Sequence, residues 1–417
     1  MNRVLASKIV ESLSAQYVPD AVYEDMREFG IAEWQETLWW LSGSGLPHYF
    51  VARLQQSCRE KILPSDIHAT LSGNFLANHQ RVDTMAAEFE NLTRRLCEAG
   101  VNCAAVRGFE LAPEYCPNLW LRTWYAHEYI ISAEQLRYAS RIVEEAGYPF
   151  RRSGSRGELY FAVPEMQTPS KVEDAYRAAF PRMVVLHCQI WDQDSTGINI
   201  PVPDNLLRRV VTRRSLGISF PTLSDEDLLA FTLIDTFARV LSYWCKLSWL
   251  FEISHYLQMR HSDERFWETF YGRIADWGKL PEISDFVFLL CANIFGVALP
   301  EYVRYRVSGL NPALALWTRH YGIQWALAKY PGSKLSLLVQ RELVSDRGTW
   351  NRLRRRKLFP FLSDGTAMPS NIATSTKHEQ PKRKMSRVVD RIRFHGPATY
   401  AYLRELPRWK RLLAQGR

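Results

Sequence analysis

Between Val101 and Tyr148 the chain reads as a strand, a loop, a second strand and a helix, and this order constrains the fold more than any other stretch. Cys103–Val106 and Tyr129–Ile131 are short apolar runs of strand character, the second within a strand expected over 125–131. Ser132 with Gln135 three residues on has the form of a capping box, which starts a helix over 133–146. Leu136, Ala139, Ser140, Val143 and Ala146 then recur at helical spacing, and Gly147 supplies the stop. Upstream, Val82, Met85, Ala86, Phe89, Leu92 and Leu96 form one helical face, closed by Gly100, so a helix over 78–99 feeds the first strand. Glu158–Val163 and Met183–Trp191 supply two further strands. The expected fold class is α/β (α+β): a small mixed sheet with helical regions flanking it on both sides.

The flanks set the domain boundaries. Residues 1–75 read as short helices broken at Pro47, Pro64 and Ser72-Gly73, and the α/β core is expected over 76–203. After Pro201 and Pro203 the composition changes. Ser224-Asp225-Glu226-Asp227 is a dense helix start, with acids at the positive end of the dipole, and a helical domain is expected over 204–350. Residues 351–417 form a basic tail, with a disordered linker expected over Ser363–Pro381.

Charge separates this tail from the body. Arg341–Arg417 holds 19 Lys/Arg against 6 Asp/Glu, a net +13 that leaves the remainder at −4. Such a tail suits an anionic partner, lipid headgroups or nucleic acid, with Trp409 and nearby leucines assisting contact. The seven cysteines form no Cys-x-x-Cys pair, which points to free thiols in a reducing cytoplasm. Phe286–Leu299, the longest apolar run, is too short to span a bilayer and reads as a buried helix. Attachment to a membrane would therefore be peripheral, through the tail.

Several weak motifs, in order and spacing, resemble the bacterial "uncharacterised nucleotidyltransferase" family, a branch of the polymerase-beta-like fold. In that family a strand leads into Lys-Gly, a small helix follows, and then comes Arg-x-x-x-Asp-x-Asp with an apolar tail. Here Val106-Arg107-Gly108 stands at the Lys-Gly, Arg122 at the arginine, and Tyr129-Ile130-Ile131 at the tail. Asn78 falls where the family tends to carry an asparagine. Leu186-His187 matches a later Leu-His-Trp, whose acid two places before the histidine is Val185 here. Leu223-Ser224, Asp227-Leu228-Leu229 and Leu247-Ser248-Trp249-Leu250-Phe251-Glu252-Ile253 resemble the start of the family's second domain. The likeness covers Asn78 to Leu257 and continues more weakly to Leu358-Phe359-Pro360.

The acidic motif departs from the pattern: its two positions read Ala126 and Glu128. Side chains two apart on a strand share a face, so Asp-x-Asp presents two carboxylates together, commonly to Mg²⁺ ions at a triphosphate. Ala126 supplies no oxygen, and His127 points to the other face. The resemblance thus implies a nucleotide ligand, Mg²⁺ as cofactor if the protein is active, Glu128 and His187 as catalytic groups, Glu128 as the metal ligand, and Arg107, Gly108 and Arg122 at the nucleotide. Each has a structural reading too: a hydrogen-bonded strand histidine for His187, a cap or packing role for Asn78, and for Asp235 and Arg239 an i,i+4 ion pair, the alternative being a buried polar patch facing the active cleft. Asp192 and Asp194 are turn residues or replacement metal ligands, and Arg151, Arg152 and Arg156 form a basic loop that is either solvated or phosphate-holding.

Three functions of different classes follow. The first is transfer of a nucleoside monophosphate from NTP·Mg²⁺ to an acceptor, weak or lost because the acids are missing. The second is binding of a nucleotide or partner without turnover. The third is attachment to an anionic surface through the tail.

Overall fold

The computed structural model describes residues 1–154, 157–163, 176–178, 180, 182–242, 245–328, 332–359 and 381–415, with the side chains of the last helix from 395 onward. Arg156 and the expected linker over 363–380 lie outside the described residues, as do the side chains of Lys382-Arg383-Lys384.

Four helices, α1 (Arg3–Ser12), α2 (Asp20–Arg27), α3 (Ile31–Ser44) and α4 (Pro47–Gln56), open the chain. Pro47 does not interrupt this region but starts α4 at its first turn, where its missing N–H is harmless. Helix α5 (Ser65–Glu98) follows and begins far earlier than the expected residue 78. Pro64 precedes its first turn, whereas Gly73 lies inside it without breaking it, because one exposed glycine weakens but does not stop a 34-residue helix. An added Cβ at Gly73 would meet nothing within 4 Å. Gly73→Ala is therefore expected to stabilise the protein by about 0.5–1 kcal/mol, read as a higher denaturation midpoint.

Among the described residues the sheet has seven strands in the order β3-β4-β5-β2-β1-β7-β6. Four are the expected ones: β1 (Cys103–Val106), β2 (Ala126–Ile131), β4 (Leu159–Ala162) and β5 (Met183–His187). Three are additions: β3 (Phe150–Ser153) at one edge, and the hairpin β6 (Val211–Ser215) and β7 (Ile218–Thr222) at the other. β1 runs antiparallel to β2 and parallel to β7, and β2 runs parallel to β5. The sheet thus extends past residue 203, and the chain enters its helical half at α8. Arg151 and Arg152 belong to edge strand β3 instead of a loop. Arg151 donates to the carbonyls of Ala162 and Val163, and Arg152 lies 3.9 Å above the Tyr160 ring.

One face of the sheet is covered by α5 and α6 (Leu136–Glu145). There Phe89 stacks on Phe109 and Tyr129, and Ala139, Ile142 and Val143 of α6 are buried. The Ser132–Gln135 capping box does not form. Gln135 instead reaches back to the strand entry, accepting from the Asn102 N–H at 2.8 Å and donating to the Gly100 carbonyl at 3.1 Å. A short turn α7 (Gln193–Thr196) is capped by Asp192, which accepts from the Ser195 N–H and so serves as a turn residue.

The helical half comprises α8 (Asp225–Leu241), α9 (Leu247–Met259), α10 (Glu264–Ile274), α11 (Leu280–Phe295), α12 (Glu301–Ser308), α13 (Pro312–Ala326), α14 (Ser336–Leu343), α15 (Arg347–Leu358) and α16 (Pro381–Gln415). α11 contains the longest apolar run and is buried. Among the described residues, no helix is long and apolar enough to cross a membrane. The basic tail is not a free arm. Trp409 and Tyr402 are buried, Trp409 against Tyr321 of α13, so Trp409 cannot help hold a membrane. Lys357 donates to the Leu241 carbonyl and to Gln340, and Arg356 to the Ser195 carbonyl. Leu406 and Leu413 of α16 also pack in part against the core, whereas Tyr400 and Leu403 stay exposed, and part of the basic run is used internally.

Candidate active site

At the end of β1 the backbone turns sharply, with Arg107 in the left-handed region at φ 65°. A non-glycine residue there is uncommon and persists only where its surroundings hold it. Here the restraints are explicit. Glu110, fully buried, accepts the Gly108 N–H at 2.9 and 3.0 Å, and burial raises the pKa of its carboxyl group. Arg122 donates Nη1 to the carbonyls of Arg107 and Gly108 at 3.1 and 3.3 Å.

Arg122 is itself gripped from the helical half. Its Nε and Nη2 donate to the two carboxylate oxygens of Glu252 on α9 at 2.8 and 3.2 Å. Tyr49 on α4 donates to the same Glu252 at 2.9 Å. Burial opposes the Arg122 charge, but Glu252 more than offsets it and the guanidinium binds its proton more tightly than usual. Arg122 is only 4% exposed, so it shapes the Arg107–Gly108 turn from beneath. Asn78 does related work, donating to the carbonyls of Trp120 and Arg122 at 2.8 Å each. The Gly108 N–H, being bonded to Glu110, is not open to a phosphate.

The face of the sheet opposite α5 lies toward α8 and α9. Ladder register places Glu128 directly beside both Val106 and Val185, and Ala126 beside Met183. Positions 126, 128 and 185, which the resemblance marks for acids, are therefore neighbours on one face, filled by Ala, Glu and Val. His127 points the other way, as strand alternation requires, and meets Phe89 and Glu88 under α5. His187 lies on the Glu128 side.

Glu128 is the hub of this face. Its Oε2 accepts from Arg107 Nη1 at 2.9 Å and from His187 Nε2 at 2.8 Å. Burial works against the carboxylate charge, yet Arg107 and His187 outweigh it and hold the pKa at about 2. An ionised carboxylate only accepts, so the His187 proton sits on Nε2. Arg107 continues the chain to Asp235 of α8, Nε to Oδ2 at 3.3 Å, and Asp235 pairs with Arg239 at 3.6 Å. The Asp235–Arg239 pair expected from spacing is present, but it is joined to Glu128 through Arg107. Trp249 of α9 lies against both guanidinium groups, with Arg107 Cζ 5.4 Å and Arg239 Cζ 5.6 Å from its ring centroid. Tyr160 of β4 shares the face; burial first, then Glu158 and Glu128, raise its pKa.

Mg²⁺ prefers a near-octahedral set of oxygens. The three marked positions offer one carboxylate, already shared between a guanidinium and an imidazole, and this donor set does not suit it. Among the described residues, no group of three or more His, Cys, Asp or Glu side chains could hold a metal.

The structure brings Glu128, His187 and Arg107 together, leaves Gly108 in the turn and sets Arg122 below it. Sequence reasoning missed Trp249, Tyr160 and Lys246 in these surroundings, whereas Arg239 was named with Asp235. Trp249 carried a faint signal, since it falls in the stretch resembling the family's second domain.

A mixed sheet whose second strand presents the acidic-motif positions toward a helical domain defines a nucleotidyltransferase-like core. Residues 31–296 match the family described as Uncharacterised nucleotidyltransferase, and the chain belongs to that family. Neither curated proteins nor solved structures give a match.

Proposed function

We propose that this nucleotidyltransferase-family protein binds a nucleotide in the cleft between the sheet and α8–α9, and that nucleotidyl transfer there is very slow or lost. The observation that carries this reading is the state of Glu128. It is the single carboxylate at the three positions that would hold catalytic metal, and it is ion-paired with Arg107 and hydrogen-bonded to His187. Nucleotidyltransferases as a class work with divalent metal, and this face carries cations where that metal would be. Arg107 and Arg239 suit phosphate oxygens through planar, charged N–H groups. The Arg239 Nε is buried and has no acceptor among the described residues. Trp249 and Tyr160 supply aromatic surface at the same place.

The test measures ATP binding by calorimetry, with and without Mg²⁺, and release of labelled pyrophosphate. It uses the wild type, Glu128→Gln and Ala126→Asp/Glu128→Asp. The wild type is expected to bind ATP with little dependence on Mg²⁺ and to release no measurable pyrophosphate. The double variant should make ATP binding depend on Mg²⁺, because two short carboxylates again share one strand face. Robust wild-type transfer that survives Glu128→Gln would defeat the proposal, since other acids would then be holding the metal.

A further inference from the structure

The cations around the cleft outnumber the carboxylates that pair with them. Arg107 has Glu128 and Asp235, Arg239 has Asp235, and Arg122 has Glu252. Lys246, half-buried at the start of α9, has no carboxylate partner among the described residues. Its Nζ donates to the Thr123 carbonyl at 3.3 Å and lies 4.9 Å from the centroid of the Tyr125 ring. Arg81 of α5 approaches the same ring, with Cζ 5.0 Å from the centroid. It is fully buried and donates Nη1 to the Trp124 carbonyl, while its Nε and Nη2 have no acceptor among the described residues.

Two cations against one ring, neither in a direct ion pair among the described residues and with Glu252 and Glu88 only as more distant counter-charges, need an explanation. A buried charge without a counter-charge is strongly unfavourable, and arginine does not escape by losing its proton in the ordinary pH range. Lys246 also sits at the positive end of the α9 dipole, with no acidic residue in the first turn. Burial, followed by Arg107 and Arg122, pushes its pKa down to about 8, so it is still mainly charged at neutral pH. A local excess of positive potential in a cleft attracts an anion, and multiply charged phosphates gain most from it.

We propose that Lys246 marks a polyphosphate subsite, taking the terminal phosphates of the ligand beside Arg107 and Arg239, with Arg81 adding positive potential from the buried side. This deepens the nucleotide reading and rests on it only in joining the phosphates to a nucleoside. The subsite does not need Glu128 as a ligand. Lys246 contributes a compact charge with three donors, only one of which is engaged by Thr123.

Calorimetric titration of the full chain with ATP, AMP and inorganic tripolyphosphate decides the matter, using wild type, Lys246→Ala and Lys246→Arg. Lys246→Ala is expected to weaken ATP and tripolyphosphate roughly tenfold or more, the loss of a charge-assisted hydrogen bond, and to leave AMP nearly unchanged. Lys246→Arg should retain most of the binding, which separates loss of charge from loss of fold. If Lys246→Ala binds ATP and tripolyphosphate as the wild type does, the subsite is wrong and the nucleotide reading stands. An AMP loss equal to the ATP loss also overturns the placement of the terminal phosphates. Lys246-dependent binding of tripolyphosphate without binding of ATP would keep the subsite and sink the nucleotide reading. Wild type that binds neither ligand overturns the subsite.

Discussion

Arg122→Ala is expected to destabilise the protein by about 3–5 kcal/mol, the usual range for removing one partner of a buried ion pair. The physical reason is what remains behind. Glu252 keeps a buried carboxylate with Tyr49 as its remaining hydrogen-bond donor, and the carbonyls of Arg107 and Gly108 lose theirs. The left-handed backbone at Arg107 then loses a restraint. Arg122→Lys should recover little, because a point charge cannot make two parallel bonds to Glu252 and also reach both carbonyls. Arg122→Met combined with Glu252→Leu should recover most of the loss, since neither charge is then left buried alone. Urea denaturation of the four proteins checks this. A loss below about 1 kcal/mol for Arg122→Ala would place the pair among those that contribute little.

Acid should weaken the fold through Glu128, by an amount on the order of 3 kcal/mol. Its folded pKa, about 2, lies below the ordinary value of 4.5 because Arg107 and His187 together outweigh burial. A depressed carboxylate pKa means that the folded state binds the proton less readily than the unfolded chain. The contribution is fully present above pH 4.5 and disappears as pH falls through about 2. Glu128→Gln removes that titration. The variant should be less stable than wild type at pH 7, with the gap narrowing steadily as pH falls from 5 toward 2. Unfolding free energies measured across this range give the comparison. A gap that stays constant with pH would mean that the Arg107–Glu128–His187 group does not stabilise the fold through its charge.

What the sequence disclosed follows from where its pattern was strong. β1, β2, β4 and β5 contain buried apolar residues and were legible, as was the opposition of His127 and Glu128, which needs only strand alternation. β3 and β6 were not legible. Phe150–Ser153 and Val211–Ser215 are edge strands rich in arginine, and charged edges discourage pairing with other chains while erasing the apolar alternation that would reveal a strand. β7 was hidden by the proline within it, although the two-residue link Leu216-Gly217, both at positive φ, is a hairpin turn. Glu128, His187 and Arg107 could be named from motif order. Their joining to Asp235 and Trp249 could not, because it depends on how α8 and α9 pack against a sheet whose strands lie far back along the chain. Trp409 misled for a related reason: an amphipathic helix with arginines looks the same whether its apolar face meets lipid or α13.

The Tyr49–Glu252–Arg122 junction also bears on how a ligand would enter the proposed cleft. One guanidinium ties the β1 turn to α9, and the same carboxylate ties both to α4. Swinging α9 away from the sheet would break that buried pair, so the cleft has no inexpensive hinge between these walls. Its shape is set before anything arrives. Little ordering would then be required of the backbone at the moment of contact, and discrimination between ligands would rest on size and charge at entry instead of on closure around them.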